Sequence, residues 1–290
     1  MIYLVISIAI SSTLFVIFKL FEIFKIDTLQ AIVVNYLVAA ILGFYLSELP
    51  VNIAEITHQS WFIGALILGV LFITVFHLMA VTSQRNGLSV ASVASKMSLI
   101  IGVIFGIVYY KENFNYIKIV GFVLALLAVY LTSIKKARGT TGGSRSDFLF
   151  PLLVFLGSGC IDTSLKFIET SYVQEGGVPI FSATIFAIAF LLGFIFVIIK
   201  MVRGIFTFHY KNILGGIILG IPNYFSIVYL LKALGTDGIE SSTAFTVNNV
   251  GIVVLSTLLG LFLFHERLSL KNWLGIFTAV LSVYLVFYYG

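Results

Sequence analysis

The chain has 290 residues, 60% hydrophobic and 10% charged, with a net charge of +5 and a mean hydropathy of +1.12. A soluble domain is about 45–50% apolar and about 25% charged, so a water-soluble enzyme is excluded and a polytopic helical membrane protein is indicated. A lone cysteine, Cys160, excludes an intrachain disulfide and a thiolate metal cluster, and basic residues scattered between apolar runs fit membrane threading better than nucleic acid.

A membrane-crossing helix needs about 20 mostly apolar residues. The first such run, 2–20, lacks the basic start and small-residue cleavage pattern of a signal peptide and is read as a retained helix. Further runs follow at 29–47, 60–82, 88–110 and 117–134. After the hydrophilic stretch Lys135–Asp147 (KKARGTTGGSRSD) come 148–168, 177–199, 212–231, 241–263 and 272–289. The runs are long and do not alternate, which argues against a β-barrel. The Gly, Ser, Thr and basic content of 135–147 reads as a solvated linker. The expected organisation is therefore 1–134, a linker over 135–147, and 148–290.

The two halves repeat. Tyr110-Lys111-Glu112-Asn113-Phe114 aligns with Phe264-His265-Glu266-Arg267-Leu268 at an offset of 154. The same offset pairs Gly106 with Gly260, Gly121 with Gly275, and Val129-Tyr130-Leu131 with Val283-Tyr284-Leu285. Lys19-Leu20-Phe21-Glu22 matches Lys166-Phe167-Ile168-Glu169 at an offset of 147, and Leu68-Gly69 and Asn86-Gly87 match Leu219-Gly220 and Asp237-Gly238 at 151. Five helices per half is an odd number, so the second half enters the membrane from the opposite side. The expected fold is all-α, with ten transmembrane helices as two inverted-topology five-helix repeats around a central cavity, an organisation typical of alternating-access transporters.

With these motifs the sequence resembles the drug/metabolite transporter superfamily, EamA-like family. The similarity is carried by a glutamate after the fourth and ninth spans followed by a helix with an early glycine: Glu112 to Gly121 and Glu266 to Gly275. The resemblance covers nearly the whole chain and implies a cavity lined mainly by spans 1, 3, 4, 6, 8 and 9, with 5 and 10 peripheral. It leaves the substrate open, since the family moves amino acids, sugars, nucleotide sugars, phosphate esters and drugs. Larger members place both termini inside. Here twelve Lys and Arg fall on one side of the predicted spans and four on the other, and by the positive-inside rule this puts both termini outside.

An ionisable residue in a span costs roughly 2.5–3.5 kcal/mol on insertion scales and should face a cavity or a partner. Lys96, about eight residues into the fourth span, shares a helical face with Ser92 and Ser95. It would hold an anionic group, pair with a protein carboxylate, or snorkel to the interface. Asp162 in the sixth span would neutralise Lys96, bind a substrate amine or carry a coupling proton, or else serve as a helix-end carboxylate near Lys166. Asn248 and Asn249, beside Thr243 and Thr246, suit a zwitterionic or hydroxylated ligand, with interhelical hydrogen bonding as the competing role. His77, Asn223 and Tyr224 are further cavity candidates, and Pro222 would kink its helix. Glu112 and Glu266 are read as structural or gating groups favoured by a helix N-terminus. Trp61, Trp273, Tyr288 and Tyr289 read as interface-belt residues.

No catalytic residue, Walker loop or metal-ligand set is visible, so the chain is expected not to be an enzyme and to need no cofactor. Coupling to a proton or another ion stays open. The expected function is secondary active transport, as an exporter or exchanger, of a small polar metabolite, amino-acid-like or an organic anion. The expected location is the inner membrane. Expected partners are that small molecule and the lipid bilayer, with no nucleic acid and a homodimer left open. The alternative is a non-transporting receptor or accessory protein that binds lipid or a partner.

Overall fold

The computed structural model describes residues 2–47, 52–109, 116–133, 145–174, 176–234 and 241–288. Among these residues all the regular secondary structure is helical, with no strand. The order is α1 (Ile2–Ile23), α2 (Thr28–Tyr45), α3 (Ile53–Ile56), α4 (Phe62–Asn86), α5 (Leu88–Met97) and α6 (Leu99–Tyr109), then α7 (Tyr116–Ser133), α8 (Arg145–Tyr172), α9 (Val178–Val202), α10 (Tyr210–Leu234), α11 (Ser241–Phe264) and α12 (Leu270–Tyr288). Seven of these are long and apolar enough to cross a membrane: α1, α2, α4, α8, α9, α10 and α11. The protein is thus a multi-pass integral membrane protein. Three shorter apolar stretches, Leu88–Gly102, Ile119–Thr132 and Leu270–Leu285, fall where the sequence reading places the fourth, fifth and tenth spans.

The fourth predicted span, 88–110, is not one helix, and the break comes at Ser98. The Ser98 hydroxyl donates to the Ser95 carbonyl, and the Ser92 hydroxyl donates to the Ser89 carbonyl at 3.1 Å. The Ile101 N–H then bonds the Ser98 carbonyl at 2.9 Å, a tighter i−3 link. Serine hydroxyls that take up carbonyls three residues back compete with the helical ladder and bend it. The apolar pattern of 88–110 is blind to this competition.

The helices form two compact units, each drawn from both halves of the chain. The first holds Met1–Leu20, Leu78–Gly159 and Phe225–Gly290; the second holds Phe21–His77 and Cys160–Tyr224. Helices α1, α4, α8 and α10 therefore each contribute to both.

In the first unit α7 lies along α12, and α5 packs on α11, α7 and α12. Asn272 Nδ2 donates to the Thr132 carbonyl at 2.7 Å, and the Ser282 hydroxyl donates to the Gly121 carbonyl at 2.7 Å, which makes α7 and α12 antiparallel. In the second unit α2 lies along α9. Tyr36 is fully buried there, with its hydroxyl donating to the Phe72 carbonyl at 2.8 Å and its ring 6.0 Å from that of Phe186. Helix α10 meets α2 through bare backbone. A Cβ on Gly216 would sit 2.6 Å from the Ala31 carbonyl oxygen, and one on Gly220 would sit 2.8 Å from that of Asn35.

Trp61 departs from the belt reading. It is 5% exposed, with its ring edge-on to Phe181 at 5.4 Å, because α9 brings an aromatic partner that the local sequence does not contain. Trp273 stays exposed.

Candidate functional site

In the first unit, three buried polar groups from three helices meet. The Ser7 hydroxyl of α1 donates to Asn248 Oδ1 of α11 at 3.1 Å and lies 3.4 Å from the Ser226 carbonyl of α10. Glycine at 251 makes this approach possible, since a Cβ there would sit 2.6 Å from Ile8 Cδ1. Asn249 is buried beside Asn248. Asn248 thus takes part in the interhelical bonding that competed with its ligand role, although its amide group still offers donors.

Ser92 is fully buried, and its hydroxyl is engaged with its own helix. Lys96 stands in the last turn of α5 and is half-buried. Helix α5 begins beside the residues that follow α11, so Lys96 lies about 12 Å in from that end and Asn249 about 23 Å. The unit thus carries a cation and an amide pair at different depths.

At that same end, Glu266 closes the start of α5. Its Oε1 accepts from the Leu88 N–H at 2.7 Å, and its Oε2 accepts from the Ser89 hydroxyl at 3.3 Å. A carboxylate on the first free N–H groups of a helix is a cap that also answers the helix dipole. Space for it comes from two glycines: a Cβ on Gly87 would lie 2.8 Å from Oε1, and one on Gly260 would lie 2.6 Å from Oε2. Gly87 has φ +109°, a conformation side chains rarely adopt. Burial pushes the Glu266 carboxyl above the usual carboxylate range, while the Leu88 and Ser89 hydrogen bonds and the Lys19 charge pull it back. Lys19 Nζ is anchored on the Gln84 carbonyl at 2.7 Å. The sequence reading places Glu266 against a neighbouring helix start; the helix it caps is α5, 178 positions earlier in the chain. Its repeat counterpart, Glu112, lies outside the described residues.

The second unit holds the other candidates. Asn223 Nδ2 donates to Asn35 Oδ1 at 3.1 Å, both residues being buried. Tyr224 is buried beside Gly43, where a Cβ would lie 3.4 Å from its ring. Pro222 precedes them inside α10. Asp162 is exposed on α8. His77 sits on α4 with its Nδ1 buried.

A polar network absent from the sequence reading joins α2, α9 and α10. Asp27 caps α2, its Oδ1 accepting from the Gln30 N–H at 3.0 Å. Its other oxygen lies 3.4 Å from Lys200 Nζ. Its own N–H donates to Asn212 Oδ1 at 3.0 Å, and Asn212 Nδ2 donates to Gln30 Oε1 at 2.8 Å. The spacing Asp27-Thr28-Leu29-Gln30, an N-cap residue with glutamine three on, is the signal that could have found it. A groove of about 350 Å³ also opens in this unit, lined among others by Ser60, Trp61 and Ile67 near the start of α4 and Ser164, Phe167 and Tyr172 on α8.

The geometry thus joins Asn248 to Ser7 and Asn223 to Asn35. It assigns Lys96, Ser92, Asn248, Asn249 and Glu266 to one unit and His77, Asp162, Asn223 and Tyr224 to the other.

Comparison with known proteins gives three findings. The family model described as the EamA-like transporter family matches residues 1–134 and 152–288. An uncharacterized protein of Haemophilus influenzae (strain ATCC 51907 / DSM 11121 / KW20 / Rd) is 28% identical over 269 residues, covering 89% of this chain and 88% of its own length. A crystal structure of a protein superposes with a TM-score of 0.53 over 97% of each chain at 14% identity, a likeness of fold.

Proposed function

Because the chain belongs to the EamA-like transporter family, we propose that it is a secondary active transporter of the inner membrane that moves a small polar metabolite, amino-acid-like or an organic anion, by alternating access. The observation that carries this reading is the family match over both halves of the chain. It is supported by buried hydrogen-bonding groups inside otherwise apolar helices: Asn248 and Asn249 in one unit, Asn35 and Asn223 in the other. Amides within spans are costly to maintain and mark polar pathways or polar helix contacts.

In this reading the two family-matched stretches are inverted repeats of five helices, with 135–151 between them. Lys96 anchors an anionic group, and in low dielectric one cation suffices to orient a carboxylate or phosphate. Asn248 and Asn249, in the same unit as Lys96, read the remaining polar groups. Both termini face outward, following the twelve-to-four distribution of basic residues. A reporter fused after Gly290 that is active only in the cytoplasm should stay silent; activity would reverse the orientation.

The direct test is reconstitution in proteoliposomes with labelled amino acids and organic acids. Saturable counterflow of at least one of them is expected, and Lys96→Ala should lower it about 100-fold for an anionic substrate, the effect of losing a hydrogen bond to a charged partner. Unchanged transport in Lys96→Ala would remove the anchoring role. No movement of any panel member by folded, monodisperse protein would favour the receptor alternative.

A further inference from the structure

Within the second unit, the turn between α1 and α2 is pinned to the segment between α9 and α10. The Asp27 N–H donates to Asn212 Oδ1 at 3.0 Å, Asn212 Nδ2 donates to Gln30 Oε1 at 2.8 Å, and Gln30 Nε2 donates to the Thr207 carbonyl at 3.2 Å. Asp27 Oδ2 lies 3.4 Å from Lys200 Nζ. Residues 22–30 and 200–212 therefore make one surface, and all of it belongs to that unit.

The two helix ends that feed this surface close in the same way. After α1 the Lys25 N–H bonds the Glu22 carbonyl at 3.3 Å and the Ile26 N–H bonds that of Phe21 at 2.8 Å. After α9 the Gly204 N–H bonds the Met201 carbonyl and the Ile205 N–H bonds that of Lys200, both at 3.0 Å. This pattern turns on a left-handed residue, a place that favours glycine. Gly204 fills it with φ +67°, whereas after α1 a lysine stands there with φ +53°. A lysine held where glycine would be less strained points to a use for its side chain.

Charge gives the second observation. The surface carries Lys25, Lys200, Arg203 and Lys211 against Glu22 and Asp27. Asp27 is engaged by Lys200 and by the α2 cap. Among the described residues no carboxylate pairs with Lys25, Arg203 or Lys211, and all three are exposed. Apolar side chains stand out between these cations: Phe24 beside Lys25, Val202 (83% exposed) beside Arg203, then Ile205 (66%) and Phe208 (64%). Helices α1, α2, α9 and α10 are each long enough to cross a membrane, so their shared end falls where acyl chains give way to headgroups. Cations interleaved with apolar side chains at that level match an occupant that is anionic in one part and apolar in the next.

We propose that this surface is a binding site for an anionic phospholipid, with Lys25, Arg203 and Lys211 holding the phosphodiester headgroup and Val202, Ile205 and Phe208 meeting the acyl chains. A free phosphate ion or an acidic polypeptide would use the cations and leave the apolar side chains set among them unanswered. Lys25 is two residues from Asp27 and Lys211 is next to Asn212, the pair whose hydrogen bond joins the two segments. A headgroup held by both lysines therefore reinforces that joint, and by mass action the bound lipid stabilises the folded chain.

The inference stands apart from the transport reading, and its test needs no substrate. The full chain in neutral detergent is titrated with phosphatidylglycerol, with phosphatidylcholine of the same acyl chains, with inorganic phosphate and with poly-glutamate. Melting temperature and lipid retained in native mass spectrometry are read together. Phosphatidylglycerol should bind saturably and raise the melting temperature, and the other three should not. Arg203→Gln and Lys211→Gln should each raise the half-saturating phosphatidylglycerol concentration about fivefold, the effect of one basic residue at an anionic membrane surface. Lys25→Asn keeps a residue that tolerates left-handed backbone and should do the same. Lys271→Gln, which removes an exposed cation at the start of α12, should change nothing. In the wild type, NaCl at about 1 M should weaken the binding, since it screens charges beyond a few ångströms. Equal stabilisation by phosphatidylcholine, inorganic phosphate or poly-glutamate overturns the proposal. So does phosphatidylglycerol binding that is indifferent to salt, or that survives the three substitutions together in protein that still melts cooperatively.

Discussion

Glu266 accepts hydrogen bonds at both carboxylate oxygens while two glycines leave just enough room for it. Burial raises its pKa, so the fold prefers the protonated form. Its contribution to stability is full below the ordinary glutamate value of about 4.3 and is lost as pH rises through the raised folded value. Glu266→Gln has no charge to lose and keeps a carbonyl oxygen for the Leu88 N–H. Its melting temperature in detergent should therefore fall less than that of the wild type as pH rises from about 4.3 towards neutrality; parallel profiles would refute this. Glu266→Ala removes the cap and should cost about 1 kcal/mol at neutral pH. At this scale the sequence names the right residue and not its partner. Glu266 stands out because it recurs as Glu112 in the repeat, but Leu88 is 178 positions away, and only the packing of α5 on α11 brings it there. His77 is likewise legible as a polar residue in an apolar run, whereas the burial of its Nδ1 without a hydrogen-bond partner among the described residues is seen only in the fold.

Among elements, the helix pair α2–α10 shows most directly what small residues do in a membrane. Gly216 and Gly220, four apart, let the α10 backbone reach carbonyl oxygens of α2, the small-xxx-small approach that stands in for a hydrophobic driving force in lipid. Gly216→Leu or Gly220→Leu should overpack this contact and cost about 1–3 kcal/mol, read as earlier thermal unfolding in the same detergent. Gly204→Ala makes a useful contrast: nothing lies within 4 Å of its added Cβ, so only the strain of φ +67° remains. If the Leu variants melted no earlier than Gly204→Ala, the close approach would not matter to stability. The spacing of these glycines is in the sequence and predicts the contact type, but not which helix answers it. Apolar length alone locates most helices, and it misses the break at Ser98 because serine hydroxyls act on the backbone without altering hydropathy.

On the scale of the whole molecule, the linker at 135–147 suggests a simple division into front and back, and the compact units do not follow it. Each unit takes helices from both sides of the linker: α2 with α9 and α10 in one, α7 with α12 and α5 with α11 in the other. A chain severed after Arg138 should therefore give two fragments that copurify when co-expressed, with cooperative unfolding only as a pair. A lone fragment that stays monodisperse and melts cooperatively would contradict this. The same interleaving sets a schedule. Residues Phe225–Gly290 complete the first unit, and Cys160–Tyr224 complete the second. With synthesis at about 5–20 residues per second, the helices of the first half wait roughly ten to thirty seconds in the bilayer before their last partners are made. During that interval the Asn35 amide lacks Asn223 and the start of α5 lacks Glu266. For this protein those contacts form only after α1 to α7 have been made.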